Sequence, residues 1–128
     1  MFGTFLQVAF GGAVGAVLRY GTGVLMMRSG AGAIAGVPLP IVTVNVVGSF
    51  LMGAFVVWAA HRGLTHLSPL VMTGVLGGFT TFSAFSLETV TLIERGQTGA
   101  AVIYVAVSVG LSLLALMLGL FVMRGVLA

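Results

Sequence analysis

The sequence has no Cys, Lys or Asp, and its only charged side chains are five Arg and two Glu among 128 residues. Without Cys there are no disulfides, thiolate metal sites or cysteine nucleophiles. Charged residues make up 5% of the chain, against about 25% in soluble domains, which is too few for a water-facing surface. Disorder needs high charge and low hydrophobicity, whereas 59% of these residues are hydrophobic. The composition therefore predicts an integral membrane protein.

The few ionisable side chains also exclude other classes of function. A net charge of +3 is too small and too scattered for a nucleic-acid surface. No Ser/His/Asp arrangement and no metal-binding cluster of side chains is present. We therefore expect no enzyme activity, no nucleic acid and no obligate protein partner, and a lipid bilayer as the surroundings.

Long uncharged runs determine the predicted architecture. A helix needs about 20 residues to cross the hydrocarbon core, and a β-barrel would show short alternating segments instead of solidly apolar runs. We predict a single all-α transmembrane domain over residues 1–128. Pro38 and Pro40 mark the predicted start of the second helix, after a loop rich in Gly, Ala and Ser. The four predicted spans cover about residues 4–27, 38–60, 68–95 and 99–124.

The third span contains the least helix-like stretch, residues 77–81. Gly77 and Gly78 disfavour a helix by about 1 kcal/mol each relative to Ala. Thr80 and Thr81 are β-branched, and their hydroxyls compete for backbone hydrogen bonds. We therefore predict that the third helix is broken near the midplane. Broken backbone at that depth must be buried in protein or face a cavity or an ion, and its free carbonyls are natural cation ligands.

Several polar side chains lie at membrane depth, where each needs a partner or a task. Asn45 in the second span either forms an interhelical hydrogen bond or donates to an anion or water in a cavity. Tyr104, Ser108 and Ser112 follow one another at i, i+4 and i+8, so they share one stripe of the fourth helix. Their hydroxyls either bond their own backbone or form a polar track.

Aromatic and charged residues follow the predicted break. Phe82 and Phe85 are three positions apart, so both rings face the same way. They either pack in the core or turn their positive ring edges to an anion, with the Ser83 hydroxyl alongside. Glu88 is either a proton carrier or a residue of a wet vestibule. Arg19 is the cationic counterpart in the first span and is long enough to snorkel.

Stripes of small residues recur at four-residue spacing, at Gly11/Gly15, Gly12/Ala16, Ser49/Gly53 and Gly74/Gly78. In lipid, such faces let helix backbones approach closely. They predict packing within a bundle or between two copies.

With these residues in view, the chain resembles the small fluoride channels known as Fluc or CrcB proteins, over essentially all of its length. The resemblance rests on Gly-Gly-x-x-Gly-Ala-x-x-Arg-Tyr at 11–20 and Val-Asn-x-x-Gly-Ser-Phe-x-x-Gly at 44–53. Its most specific element is Gly-Gly-Phe-Thr-Thr-Phe-Ser-x-Phe-Ser-x-Glu at 77–88. The stripe at 104, 108 and 112 completes it.

The resemblance implies a passive fluoride channel in the bacterial inner membrane, which lowers cytoplasmic fluoride toxicity. It implies an antiparallel, dual-topology homodimer with two pores. The backbone carbonyls of Gly77 and Thr80 from both copies would hold a central structural sodium ion, and Arg19 and Glu88 would lie near the aqueous mouths. The implied fluoride path is lined by Asn45, Phe82, Ser83, Phe85, Tyr104, Ser108 and Ser112.

The chain departs from the family pattern at two positions. Ile41 and Ala84 stand where the family often has a hydroxyl. Both changes remove part of the expected polar track, with consequences for the conduction rate, while the aromatic residues and Asn45 stay in place.

The distribution of Arg predicts dual topology independently of the resemblance. With four spans, Arg62 and Arg124 lie near one membrane surface and Arg28 and Arg95 near the other. Orientation follows the excess of Lys and Arg in short loops, and these counts are equal when Arg19, which lies inside the first span, is left out. The chain should therefore insert both ways, and a two-fold axis in the membrane plane would relate two opposed copies.

Two other classes of function fit a small four-span protein. A drug or cation exporter needs an acid embedded in the first span, and this span has none. A non-transporting assembly subunit would explain the glycines but not a broken third helix with aligned polar stripes.

Overall fold

The computed structural model describes residues 1–128, and four helical segments of it are long and apolar enough to cross a membrane. The prediction of an all-α protein with four candidate spans is confirmed. The segments are α1 (Phe2–Arg28), α2 (Pro40–Arg62), a composite third segment (Thr65–Glu94) and α5 (Thr98–Leu127).

The loop between α1 and α2 contains a small β-hairpin that the sequence did not predict. Strands β1 (Ala33–Ile34) and β2 (Val37–Pro38) pair antiparallel. Ala35 and Gly36 form the turn with φ values of 52° and 81°, as two-residue hairpin turns with positive φ at both positions require. Gly36 adopts a positive φ without strain. Ala35 is not a residue type that favours positive φ, so the sequence gives no indication of a turn there.

The prediction that Pro38 marks the start of the second helix is wrong. Pro38 pairs with Ala33 in the hairpin, and α2 begins at Pro40. The hairpin extends to this point because Val37 is buried in the hydrophobic cluster that contains Phe85 and Tyr104. The Leu39 N–H also donates to the Gly32 carbonyl at 3.0 Å, so the hairpin and not a helical turn occupies the residues before Pro40.

The third segment is a series of short helical pieces. A 3₁₀ turn (Thr65–Leu67) leads into a π-helix (Pro69–Leu76), which continues as α3 (Gly77–Phe79) and, after an interruption, as α4 (Phe82–Glu94). The predicted broken third helix is consistent with this arrangement. The interruption itself is confined to two extended residues, Thr80 (φ −89°, ψ 157°) and Thr81 (φ −154°, ψ 125°).

Two close helix pairs build the bundle, and glycine enables both. A Cβ on Gly74 in the π-helix would lie 2.9 Å from the Cα of Gly11 in α1. In the second pair, a Cβ on Gly53 in α2 would lie 3.0 Å from the Leu120 nitrogen, and one on Gly119 in α5 would lie 3.0 Å from the Ala54 nitrogen. The small-residue stripes thus serve, at least in part, to bring backbones together within one copy.

The buried core is small and lies where α2, α4 and α5 meet. Its six buried residues include Val42 from α2, Phe85 from α4 and Tyr104 from α5. Together with the Gly53–Gly119 contact, the proximity of Val42 to Ala101 and Tyr104 shows that α2 and α5 run parallel. Many large hydrophobic side chains are exposed on the outside, among them Phe10 and Phe121, as lipid contact requires.

Candidate functional site

The side chain of Asn45 holds both polar backbone groups of Thr81. Its Oδ1 accepts from the Thr81 N–H at 2.8 Å, and its Nδ2 donates to the Thr81 carbonyl at 3.0 Å. Thr81 is extended, so these groups have left the helical ladder and would be unsatisfied in an apolar interior. Asn45 therefore links α2 to the interruption. Of the two interpretations that the sequence left open for Asn45, this is the hydrogen bond between helical segments. One Nδ2 hydrogen remains for another acceptor.

Two further hydrogen bonds define the interruption. The Thr80 hydroxyl donates to the Leu76 carbonyl at 2.8 Å and closes the end of α3. The Thr81 hydroxyl accepts from the Ala84 N–H at 3.2 Å and caps α4. Thr is a favoured N-cap residue, so the second half of the segment restarts at a defined residue.

Arg19 of α1 also contacts the interruption. Its Nε donates to the carbonyl of Gly78 at 3.0 Å, and this hydrogen bond is partly buried. The arginine that the sequence assigned to an aqueous mouth thus reaches the backbone in the middle of the third segment.

Three backbone carbonyls around the interruption are candidates for binding an ion. Outside the regular helices, no backbone hydrogen bond ends on the carbonyl of Gly77, Phe79 or Thr80. Gly77 is exposed at the surface of the protomer. Carbonyls of unwound transmembrane helices are the donors that sodium takes in other membrane proteins, so the residues present fit the expected ion.

A cavity of about 320 Å³ opens beside the interruption, between α2, α4 and α5. None of its lining residues is charged. The cavity brings together five of the predicted site residues, namely Asn45, Phe82, Phe85, Ser108 and Ser112, and it also touches Thr80.

The two phenylalanines line the same cavity but differ in burial. Their ring centroids are 5.5 Å apart and their planes are tilted by 51°. Phe85 is 8% exposed and lies 5.3 Å from the Tyr104 ring, whereas Phe82 is 77% exposed. Phe85 therefore both packs in the core and lines the cavity. Only a small part of the Phe82 side chain is covered by packing within the protomer.

The predicted stripe on α5 divides into two parts. Ser108 and Ser112 line the cavity, and the Ser108 Oγ is buried without a hydrogen-bond partner. Tyr104 is fully buried beneath them, and its hydroxyl donates to Oε2 of Glu88. The tyrosine thus contacts the cavity wall through Phe85 instead of lining the cavity itself.

Five predicted site residues lie outside the cavity lining: Arg19 and Tyr104, described above, and Gly77, Ser83 and Glu88. Glu88 is half-buried and bonded to Tyr104. Ser83 is exposed, with its Oγ 3.3 Å from the Thr81 hydroxyl. Gly77 lies on the protomer surface just before the interruption.

Three residues that shape the site were not among the predicted site residues. The backbone of Thr81 is the partner of Asn45, and Ser49 lines the cavity. Gly48 is buried and faces Thr80, where a Cβ would lie 3.3 Å from the Phe79 ring. The spacing of Ser49 one helical turn after Asn45 was a usable indication, whereas nothing local to Gly48 reports that Thr80 packs against it.

Comparison with known proteins shows the family of the chain. The model of the family described as "CrcB-like protein, Camphor Resistance (CrcB)" matches residues 6–120. The chain belongs to the CrcB family. A protein of Roseobacter denitrificans named "Fluoride-specific ion channel FluC" is 64% identical over 125 residues, which cover 96% of this chain and 97% of the relative.

Two further CrcB-family relatives carry the same name. The protein of Jannaschia sp. is 74% identical over 100 residues, which cover 77% of this chain and 95% of the relative. That of Ruegeria sp. is 62% identical over 124 residues, with 97% of each chain covered. With its four candidate spans, this CrcB-family chain is a multi-pass membrane protein.

Proposed function

We propose that this CrcB-family protein is a fluoride-specific ion channel through which fluoride leaves the cytoplasm passively. The observation that carries the proposal is the match to relatives of that name over nearly the whole of both chains. HF crosses membranes as a neutral acid, ionises inside and accumulates as the anion, so a passive exit lowers fluoride toxicity. The protein is a channel and not an enzyme.

The cavity supplies groups that suit a small anion losing part of its water. The free Nδ2 hydrogen of Asn45 and the hydroxyls of Ser108 and Ser112 are donors, and the edges of Phe82 and Phe85 carry partial positive charge. Since no carboxylate lines the cavity, no fixed negative charge repels the ion. Selectivity then follows from a narrow, partly dehydrating path with placed donors.

The channel proposal is tested with purified protein in liposomes. We expect fluoride efflux down its gradient, chloride excluded, and no change in fluoride flux when a proton gradient of either sign is imposed. The last arm separates a channel from a coupled transporter in which Glu88 carries protons. Chloride flux at a comparable rate, or an absence of fluoride flux, would contradict the assignment.

We further propose that two copies form an antiparallel homodimer in the bacterial inner membrane. The equal Arg counts near the two membrane surfaces support insertion in both orientations. Phe82 is 77% exposed beside a cavity that is open at the protomer surface, and a second copy would complete that wall.

Dual topology makes a direct prediction about the C-terminus. In cells, a cysteine tag after Ala128 should be labelled by a membrane-impermeant reagent from both sides of the membrane, about half of the molecules from each, because neither orientation is favoured. The chain has no other Cys, so the background is low. Labelling from one side alone would refute the antiparallel dimer.

The proposed sodium ion would bind where the two interruptions meet. The carbonyls of Gly77 and Thr80 from each copy would hold it, and their freedom from backbone hydrogen bonds outside the regular helices supports this assignment. A cation there would neutralise the carbonyl dipoles of both interruptions. Arg19 and Glu88 stay proposed as the charges that influence how ions approach the cavity.

A further inference from the structure

Six Ser and Thr hydroxyls of this chain donate to a carbonyl one turn earlier, which satisfies a polar group at membrane depth. These bonds are 2.7–2.9 Å long at Thr22, Thr43, Thr80, Thr89 and Thr91 and 3.0 Å long at Ser86. Ser49 of α2 forms no such bond, although the carbonyl of Asn45 lies one turn before it.

None of the three serine hydroxyls of α2 and α5 has a backbone hydrogen bond, and all three lie in one place. Ser49, Ser108 and Ser112 all line the cavity beside the interruption. Ser108 is 4% exposed, and its buried Oγ has no partner in the protomer. A buried hydroxyl without a partner costs free energy, so a polar occupant of the cavity is expected to bond it.

The order of residues along α2 and α5 shows where Ser49 lies along the cavity relative to Ser112. Because α2 and α5 run parallel, the steps from Asn45 to Ser49 and from Ser108 to Ser112 advance in the same direction, each by about 6 Å. One turn further on, the lining becomes apolar at Met52 and Leu116. Ser49 and Ser112 are therefore the last polar residues of the lining on this side.

We propose that Ser49 is a further fluoride-contacting residue, which forms an anion subsite together with Ser112 one helical turn beyond Asn45. Its hydroxyl donates to the partly dehydrated ion, and its own lone pairs are free to accept from a water that travels with the ion. This inference rests on the proposed function, since it concerns the same path. It adds a donor from α2 to a path whose other serines come from α5.

The test compares Ser49→Ala with Thr43→Val in liposomes. Thr43 lies on the same helix, but its hydroxyl is bonded to the Leu39 carbonyl at 2.9 Å, so it serves as the matched control. We expect Ser49→Ala to slow fluoride flux roughly two- to ten-fold, as the loss of one neutral hydrogen bond implies. Its melting temperature in detergent should equal that of the parent, and Thr43→Val should conduct like the parent.

A coupling measurement sharpens the comparison. If Ser49 and Ser112 bind one ion, the double variant with Ser112→Ala should be slower or faster than the product of the two single effects predicts. Multiplying effects would mean that the two serines share no subsite and would overturn that part of the proposal.

Each remaining outcome is decisive. A Ser49→Ala variant that conducts at the parent rate would overturn this inference while leaving the channel proposal intact. A lowered melting temperature with a flux that falls only in proportion to folded protein would show that the hydroxyl is structural. A parent that passes no fluoride would overturn the proposed function, and this inference with it.

Discussion

Asn45→Ala is expected to destabilise the protein and to stop conduction together. The change removes both hydrogen bonds to Thr81 and leaves an N–H and a carbonyl without partners in an apolar interior. Each unsatisfied group costs about 1–3 kcal/mol. We expect the melting temperature in detergent to fall by about 5 °C or more and fluoride flux to fall at least about tenfold.

Asn45→Asp separates the two roles of this side chain. A carboxylate still accepts from the Thr81 N–H, but it cannot donate to the Thr81 carbonyl and it adds negative charge to the cavity wall. Fluoride flux should therefore be lost even in the fraction that stays folded. Thr43→Val on the same helix is the control. An Asn45→Ala variant that melts and conducts like the parent would show that the two hydrogen bonds between Asn45 and Thr81 contribute nothing.

Phe82→Ile is expected to slow fluoride flux by at least about tenfold with little loss of stability. The ring is 77% exposed, so little packing within the protomer is lost, while the positive ring edge disappears. Phe121→Ile is the matched control, because Phe121 is 75% exposed and does not line the cavity. It should conduct at the parent rate.

Phe85→Ile completes the comparison. Phe85 is 8% exposed and packs on Tyr104, so this variant should lose about 1–3 kcal/mol of stability as well as flux. If Phe82→Ile conducts like the parent and Phe85→Ile slows only in proportion to its loss of stability, both rings serve packing alone.

Composition and local pattern were sufficient for the membrane class, the four spans and the third-segment break. Seven charges in 128 residues leave no alternative to lipid, and long apolar runs separated by Arg-containing connections mark the helices directly. These are properties of each segment by itself, so no knowledge of neighbouring segments is needed. The motifs on which the family resemblance rests, in all four spans, are equally local.

The exact place of the interruption depended on tertiary contacts. Gly77 and Gly78 have the weaker helix propensity, yet they remain helical, and the chain leaves the helix at Thr80 and Thr81. Propensity is a weak term of about 1 kcal/mol per glycine. It is outweighed by the two Asn45 hydrogen bonds to Thr81, which require a residue 36 positions away.

The hairpin and the cavity were likewise decided by packing between segments. Val37 is buried against α4 and α5, which holds Pro38 in a strand and delays α2 to Pro40. Sequence periodicity placed Tyr104, Ser108 and Ser112 on one stripe. Only the arrangement of the neighbouring helices determined that the Tyr104 hydroxyl bonds Glu88, whereas the two serines line the cavity. Periodicity determines which residues share a face, whereas the partner of that face depends on how the helices pack.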